Sequence, residues 1–483
     1  MNLYDFKTGI YTDFYEITMA YGYWKSGIAE KRAIFQMFFR KNPMNGGYSV
    51  FAGLDTLMDY FEKFGFSEED IDYLKTFTDL KGKKLFDKDF LEYLKNMRFS
   101  CDVMAFPEGS VAFPNEPVIK VVGPIIQAQL VESMILNVIN FQTLIATKAA
   151  RICSVAQGGV LEFGLRRAQG IDGALSATRA AYIGGCTGTS NVLAGKYLGI
   201  PVKGTHAHSW VMAFENEIEA FKTYAKIYPD NSIFLVDTYN TIEGIKNAIK
   251  VAKKMKKQNH KLIGIRIDSG DLAYLSIKAR EMLDKEGLND CKIIASSSLD
   301  ESIILSLRNQ GAKIDMWGVG TKLSVGYPDA ALDGVYKLSA IEKKGKWDYK
   351  IKISDNPFKV SITGNPLVKR YYNKDGMVEA DIIYDEFEKK KTFKVVRDPY
   401  AIWRSKKIKS VWKSKEMLKT IIKNGRIVIK RESLKKIRER VQKELNTLHP
   451  GHKRFINPHE YPVGISENLF NVRKKLIEKL SRK

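Results

Sequence analysis

The residues able to do chemistry stand at the ends of short apolar runs. In GIRIDSGDL, Arg266 and Asp268 alternate along one run, so their side chains share a face, and Ser269, Gly270 and Asp271 follow in a turn. A guanidinium offers a fork to phosphate or carboxylate, while the nearby carboxylate can take ribose hydroxyls or Mg2+. A buried ion pair fixing the strand end is the plainer alternative. WGVGT supplies Gly318 and Gly320, where missing side chains let backbone N–H groups approach an anion, and Thr321 adds a hydroxyl. Ser296, Ser297 and Ser298 repeat the theme after another run, although serines there also serve as helix caps. GTHAHS carries His206 and His208, the only histidines in the first half of the chain. An HxH pair can ligate metal, but no HExxH helix or cysteine partner accompanies it. A nucleophilic histidine among phosphate loops is the sharper reading, and a core role for one of the two stays open. EFGLRR groups Phe163, Arg166 and Arg167. An aromatic ring and an arginine can sandwich a planar ligand and neutralise its carboxylate, and a core phenylalanine followed by solvated arginines fits equally well.

These groups need elements to bring them together. Between residues 158 and 325, short runs such as GGVLEFG, IPVKGT, SIFLVD, LIGIRID and CKIIAS each precede a helical stretch, and IDMWGVG closes the series. Serial β-α units of apolar strands predict a parallel sheet covered by helices, open or closed, with closure into a barrel favoured. In either form the loops after the strands gather at one end. They are 163–167, 205–209, 237–241, 266–271, 296–298 and 318–321. Arginines, a histidine pair, aspartates, hydroxyls and glycines in one pocket suit a phosphorylated sugar with a metal ion.

The expected organisation is a barrel over 126–335, a mixed α+β domain over 1–125 packing with 336–400, and a basic, mainly helical extension over 401–483. The chain of 483 residues carries 78 Lys+Arg against 55 Asp+Glu, a net +23 that invites a nucleic-acid reading. Residues 401–483 hold 24 basic and 7 acidic residues, so the first 400 carry only +6. At 44% hydrophobic and 28% charged residues, disordered and low-complexity classes fit poorly. The start has no basic segment leading into an apolar one, so no secretory signal is expected. The most apolar window, 118–141, is interrupted by Lys120, Gln127, Gln129 and Glu132, so no membrane span is expected. Cys101, Cys153, Cys186 and Cys291 stand far apart without a CxxC pair, which fits a reducing cytoplasm.

Long segments resemble, in order, the nicotinate phosphoribosyltransferase family: TDFYEITMAYGYW, EFGLRRAQGIDGALSATRAAYIGGCTGTSNVLAG, GIPVKGTHAHSWVMAF, YPDNSIFLVDTYNT, GIRIDSGDLAYLS, QGAKIDMWGVGTKL and INPHEYPV. The resemblance implies an irregular β/α barrel of the type II phosphoribosyltransferase kind with a second mixed α+β domain, in a homodimer whose active sites lie between subunits. It implies that nicotinate and phosphoribosyl pyrophosphate become nicotinate mononucleotide and pyrophosphate, with ATP hydrolysed as co-substrate and Mg2+ as cofactor, in NAD biosynthesis. By the same resemblance His208 is phosphorylated, Phe163 and a partner's Tyr15 face the nicotinate ring, and Arg166, Thr205 and Arg266 stand beside it. Arg166 also serves the phosphoribosyl group, Asp268 matches the residue near the ribose hydroxyls, and Ser296, Ser297, Gly318, Gly320 and Thr321 hold the phosphate.

Two sites depart from the family pattern. Ser297 and Ser298 replace an amide and a carboxylate, and Asn240 stands where DTYDT is usual, removing a possible metal-facing charge. Quinolinate and nicotinamide are the alternative substrates. Nicotinamide enzymes of this fold place an Asp directly after the Gly-Thr pair, and His206 there disfavours an amide. A nucleic-acid binder working through the tail is the alternative from another class, with few stacking residues beyond Trp403, Trp412 and Phe455.

Overall fold

The computed structural model describes residues 6–356, 359–401 and 403–481. Residues 1–5, 357–358, 402 and 482–483, which fall within the flanking segments expected above, lie outside that description. The chain forms two compact units, one of Ile145–Ala330 and one of Met1–Leu144 with Ala331–Lys483.

In the first unit six strands form one sheet: β1 (Gly159–Glu162), β2 (Gly188–Thr189), β3 (Ile233–Leu235), β4 (Gly264–Ile267), β5 (Lys292–Ser296) and β6 (Met316–Val319). Their order is β2-β1-β6-β5-β4-β3, and every pairing is parallel. Strands β3 to β6 are linked by Thr241–Lys257, Leu272–Lys285 and Glu301–Asn309, the crossover helices that parallel pairing demands. Each begins on a side-chain cap: Asn240 accepts from the Glu243 N–H, Asp271 from Tyr274 and Asp300 from Ser302 and Ile303. Register places Arg266 opposite Ile294 and Leu235, and Gly318 opposite Ser296 and Leu161. The strand ends bearing the candidate groups are therefore level.

The expected strand IPVKGT is a single parallel bridge, Thr189 to Val202, beside β2. Strand β2 itself, only two residues within CTGT, carries too little periodicity to be read from sequence. Between this segment and β3, the Leu235 N–H donates to His206 Nε2 at 3.3 Å. A side chain thus stands where a ladder bond would be, and this is the irregular seam of the parallel sheet.

The continuous run Ile125–Val155 is long and apolar enough to cross a membrane by length and composition, with 67% of its apolar window buried in the protein. Lys148 and Arg151 on this run pair with Glu301 at 2.5 and 2.9 Å, which gives that portion the contacts of a core helix.

The second unit is built on two large sheets, of seven and six strands, together with a two-stranded pairing of Ser49–Val50 and Val111–Ala112. In the seven-stranded one, Arg32–Phe39 lies between Gly334–Lys343 and Ile119–Pro124, both antiparallel to it. The tail enters both sheets. Lys419–Lys423 pairs with Asp102–Ala105, Lys413–Glu416 with Pro366–Tyr372, and Val463–Ile465 runs parallel to Val378–Asp385. The helical reading of residues 401–483 holds for Leu434–Asn446 and Glu467–Ser481, whereas 405–427 is mostly extended. The physical reason is pairing: in KTIIK, Ile421 and Ile422 are buried, and Lys423 reaches Asp102 at 2.6 Å.

Candidate active site

The ends of β1, β4, β5 and β6 and the segment before His208 enclose a cavity of about 370 Å³. On one wall, the Phe163 N–H donates to the Val319 carbonyl at 2.8 Å, and its ring lies over Gly318. A Cβ at Gly318 would come within 2.6 Å of Phe163 Cδ2, so a glycine is needed to seat the ring. Arg166 and Arg167 follow on the same loop, both exposed and both lining the cavity.

Arg266 rises from β4 into the opposite wall. Burial pushes its guanidinium below its ordinary range, and Asp268 and Asp237 oppose that shift. Its Nε is buried without a hydrogen-bond partner. A buried guanidinium atom left unpaired is costly unless a ligand completes it.

Asp268 is the hub of this wall. Its backbone N–H donates to Asp237 Oδ2 at 2.9 Å, and Ser269 Oγ donates to the same oxygen at 2.6 Å. Ser296 Oγ makes a short hydrogen bond to Asp268 Oδ1. His208 Nε2 lies 3.8 Å from Asp268 Oδ2, while its Nδ1 is 3.1 Å from Thr238 Oγ1. His208 opens the short helix His208–Met212 and is partly exposed, beside the cavity rather than among its lining residues.

The two histidines divide sharply. His206 is 8% exposed, its ring packs edge-on against Tyr224 at 5.0 Å, and Nε2 is taken by the sheet seam. Burial pushes its pKa down to about 4, so it is neutral at physiological pH. The HxH pair therefore holds one structural and one accessible imidazole. Among the described residues no cluster of three or more His, Cys, Asp or Glu is arranged to hold a metal.

The phosphate-loop candidates form the remaining wall. Ser297 and Ser298 both take left-handed backbone angles, φ 97° and 43°. Successive residues of this kind are uncommon outside glycine and mark strained turns where backbone N–H groups converge. Gly320 and Thr321 stand beside Gly318, and Thr205 lines the far side, its hydroxyl donating to the His206 carbonyl at 3.0 Å.

Three family models match nearly the whole length: the nicotinate phosphoribosyltransferase N-terminal domain over residues 10–140, the nicotinate phosphoribosyltransferase family over 159–380, and the C-terminal domain over 367–473. The nicotinate phosphoribosyltransferase of Bacillus subtilis is 45% identical over 97% of this chain and 94% of its own. The chain belongs to the nicotinate phosphoribosyltransferase family. Its relative in Caenorhabditis elegans is 35% identical over 95% of this chain and 91% of its own. The crystal structure of human nicotinic acid phosphoribosyltransferase superposes with a TM-score of 0.83 at 28% identity, covering 96% of this chain and 99% of that one. The fold is also shared with the nicotinate-nucleotide pyrophosphorylase of Pyrococcus furiosus, at TM-score 0.68 and 22% identity over 92% and 99% of the two chains.

Within this family member, the residues expected at the site separate into those that line the cavity, His208 beside it, and Tyr15, which the strand ends do not bring there. Phe163, Arg166, Thr205, Arg266, Asp268, Ser296, Ser297, Gly318, Gly320 and Thr321 all line the cavity. Tyr15 belongs to the other unit, on the first turn of Phe14–Lys25, and is 45% exposed. Asn240, where the family usually has Asp, caps a helix with its side-chain oxygen, a task for which the two residues are interchangeable. Sequence reading did not single out Asp237, which anchors the Asp268 turn, nor Ser190, which lines the cavity, nor Thr238 against His208. Asp237 stood in a strand-end group, and that position was its only signal.

Proposed function

We propose that this chain joins nicotinate to phosphoribosyl pyrophosphate, releasing nicotinate mononucleotide and pyrophosphate for NAD salvage, and that ATP hydrolysis drives the reaction through a phosphorylated His208. The observation that carries the site reading is the buried, unpartnered Nε of Arg266 in a cavity that also holds Phe163 and Arg166. Nicotinate is a flat ring bearing one carboxylate, and an aromatic face with two guanidinium groups matches that shape and charge. The phosphate of the sugar substrate is assigned to the turn at Ser296 and Ser297 with Gly318, Gly320 and Thr321, and Asp268 to the ribose hydroxyls.

The chemistry needs positioning more than proton transfer. Departure of pyrophosphate builds positive charge at the anomeric carbon, and the nicotinate ring nitrogen, unprotonated at neutral pH, attacks it. No general base is required, so orientation and charge stabilisation dominate the barrier lowering. Asp268 and Asp237 offer hard oxygen ligands for Mg2+ accompanying the phosphates, and Asp237 Oδ1 is buried without a partner. When bound, the ion neutralises charge on the departing pyrophosphate. His208, held at Nδ1 by Thr238, is the nucleophile for the γ-phosphoryl of ATP, with ADP leaving.

The working form is a homodimer in which Tyr15 of one subunit closes the ring slot of the other. Leu165, Ile171, Val192 and Tyr197 are exposed on the sheet unit, and Phe14 and Tyr15 on the other, apolar faces of the kind subunit contacts cover. All four cysteines are free thiols, which agrees with a cytoplasmic setting. Phe163→Ala and Arg166→Ala test the slot: each is expected to raise the KM for nicotinate about tenfold or more. An unchanged KM in both would remove the nicotinate assignment.

A further inference from the structure

Beneath the cavity wall lies an acidic group that the reaction outlined above does not use. Glu162, the last residue of β1, is 2% exposed. Its Oε2 accepts from Thr189 Oγ1 at 2.6 Å and Thr178 Oγ1 at 2.9 Å. Its other oxygen, Oε1, makes a short hydrogen bond with the Gly164 N–H. Asn191 completes the network, its N–H donating to Thr189 Oγ1 at 2.9 Å and its Nδ2 to Thr178 Oγ1 at 3.2 Å. Among the described residues no lysine, arginine or histidine pairs with this carboxylate. It is held by neutral donors alone, an arrangement that persists only where every lone pair is served.

The consequence falls on the loop above it. Gly164 follows Phe163 and precedes Arg166, and a Cβ there would meet Ser324 Cβ at 2.5 Å and Glu162 Oε1 at 2.7 Å. The loop is pressed onto the carboxylate. Two of its backbone donors are spent inside the fold, Phe163 N–H on Val319 and Gly164 N–H on Glu162. The Phe163 ring and the Arg166 side chain are the loop's groups assigned to the ligand, and their place depends on the loop being pinned. The same carboxylate fixes Thr189, next to the cavity-lining Ser190, whose N–H donates to the Glu162 carbonyl at 3.0 Å.

We propose that Glu162 is a positioning residue for nicotinate: through Gly164, Thr178 and Thr189 it sets the Phe163–Arg166 loop, and so governs nicotinate affinity without touching substrate. This rests on the reading that Phe163 and Arg166 form the nicotinate slot. It predicts a defect felt chiefly by nicotinate, because apart from Arg166 the phosphate and ribose contacts come from β4, β5 and β6.

The test is steady-state kinetics of Glu162→Ala, Glu162→Gln and Thr189→Val in the full-length enzyme, varying each substrate at saturating levels of the other. Glu162→Ala is expected to raise the nicotinate KM about tenfold while the KM for phosphoribosyl pyrophosphate moves less than about threefold. Glu162→Gln keeps an oxygen for the Gly164 N–H and is expected to restore most of the affinity. If Glu162→Ala does not fold, Thr189→Val, which removes one hydroxyl, carries the test with a smaller selective rise. Equal rises for both substrates, or no change for nicotinate, would overturn the proposal. Phe163→Ala separates the two ideas: an unchanged nicotinate KM there sinks the slot itself, whereas a raised one alongside a silent Glu162→Ala sinks only the positioning role.

Discussion

At the scale of single residues, geometry sharpened what residue type had left open. The HxH pair offered two histidines with interchangeable roles, and burial separates them: His206 is neutral and packed in the seam, His208 accessible beside Asp268. His206 spends Nε2 on Leu235, and its Nδ1 lies 3.4 Å from the Ala207 carbonyl. His208→Ala is expected to abolish ATP hydrolysis and ATP stimulation while slow uncoupled synthesis survives, read by ADP release and product formation in parallel. Gly318→Ala, which drives a methyl into the Phe163 ring, is expected to raise the nicotinate KM about tenfold with near-native stability. Residue type alone placed Arg266, Asp268 and the glycines correctly at strand ends, because alternation and turn chemistry are local signals. Asp237 and Thr238 act through Asp268 and His208, far along the chain, and no local pattern reports such pairs.

At the scale of elements, the series of apolar runs was legible because the parallel strands are largely buried and four of them, β2 to β5, lead into helices with side-chain caps. The failures came where tertiary contacts replaced regular pairing. The segment IPVKGT makes one bridge and relies on His206 to reach β3. That seam has a pH signature. The folded pKa of His206 lies near 4, below the unfolded value of about 6.5, so the unfolded chain takes up a proton that the folded one refuses. Its contribution to stability is full above about pH 6.5 and declines as pH falls toward 4, by at most about 3 kcal/mol. His206→Asn, which retains an acceptor for Leu235, is expected to lose this slope. Urea midpoints at pH 7 and pH 5 should converge in the variant and stay apart in the parent.

At the scale of the whole molecule, some of the tail's basic side chains meet acidic partners from distant segments. Arg431 pairs with Asp55, Asp59 and Glu62, Lys406 with Glu379, and Lys423 with Asp102. Arg370, fully buried, binds Asp381 at 2.7 Å and Glu444 at 3.3 Å, and Tyr461 donates to Asp381 at 2.8 Å. Charge counting saw a basic extension, but it could not see that acidic partners from distant segments meet it. Removing residues 401–483 strips strands from both sheets, and the expected outcome is loss of soluble, cooperatively folding protein rather than a trimmed active enzyme. Arg370→Met, leaving buried carboxylates without their cation, is expected to cost about 3–5 kcal/mol in urea unfolding.

The most direct measurement of the central claim is product formation from phosphoribosyl pyrophosphate and Mg2+ with nicotinate, nicotinamide or quinolinate, each with and without ATP. Nicotinate alone should give its mononucleotide and pyrophosphate efficiently, with ATP raising the yield and ADP appearing alongside. Preferential turnover of nicotinamide or quinolinate, or nicotinate turnover indifferent to ATP, would contradict it.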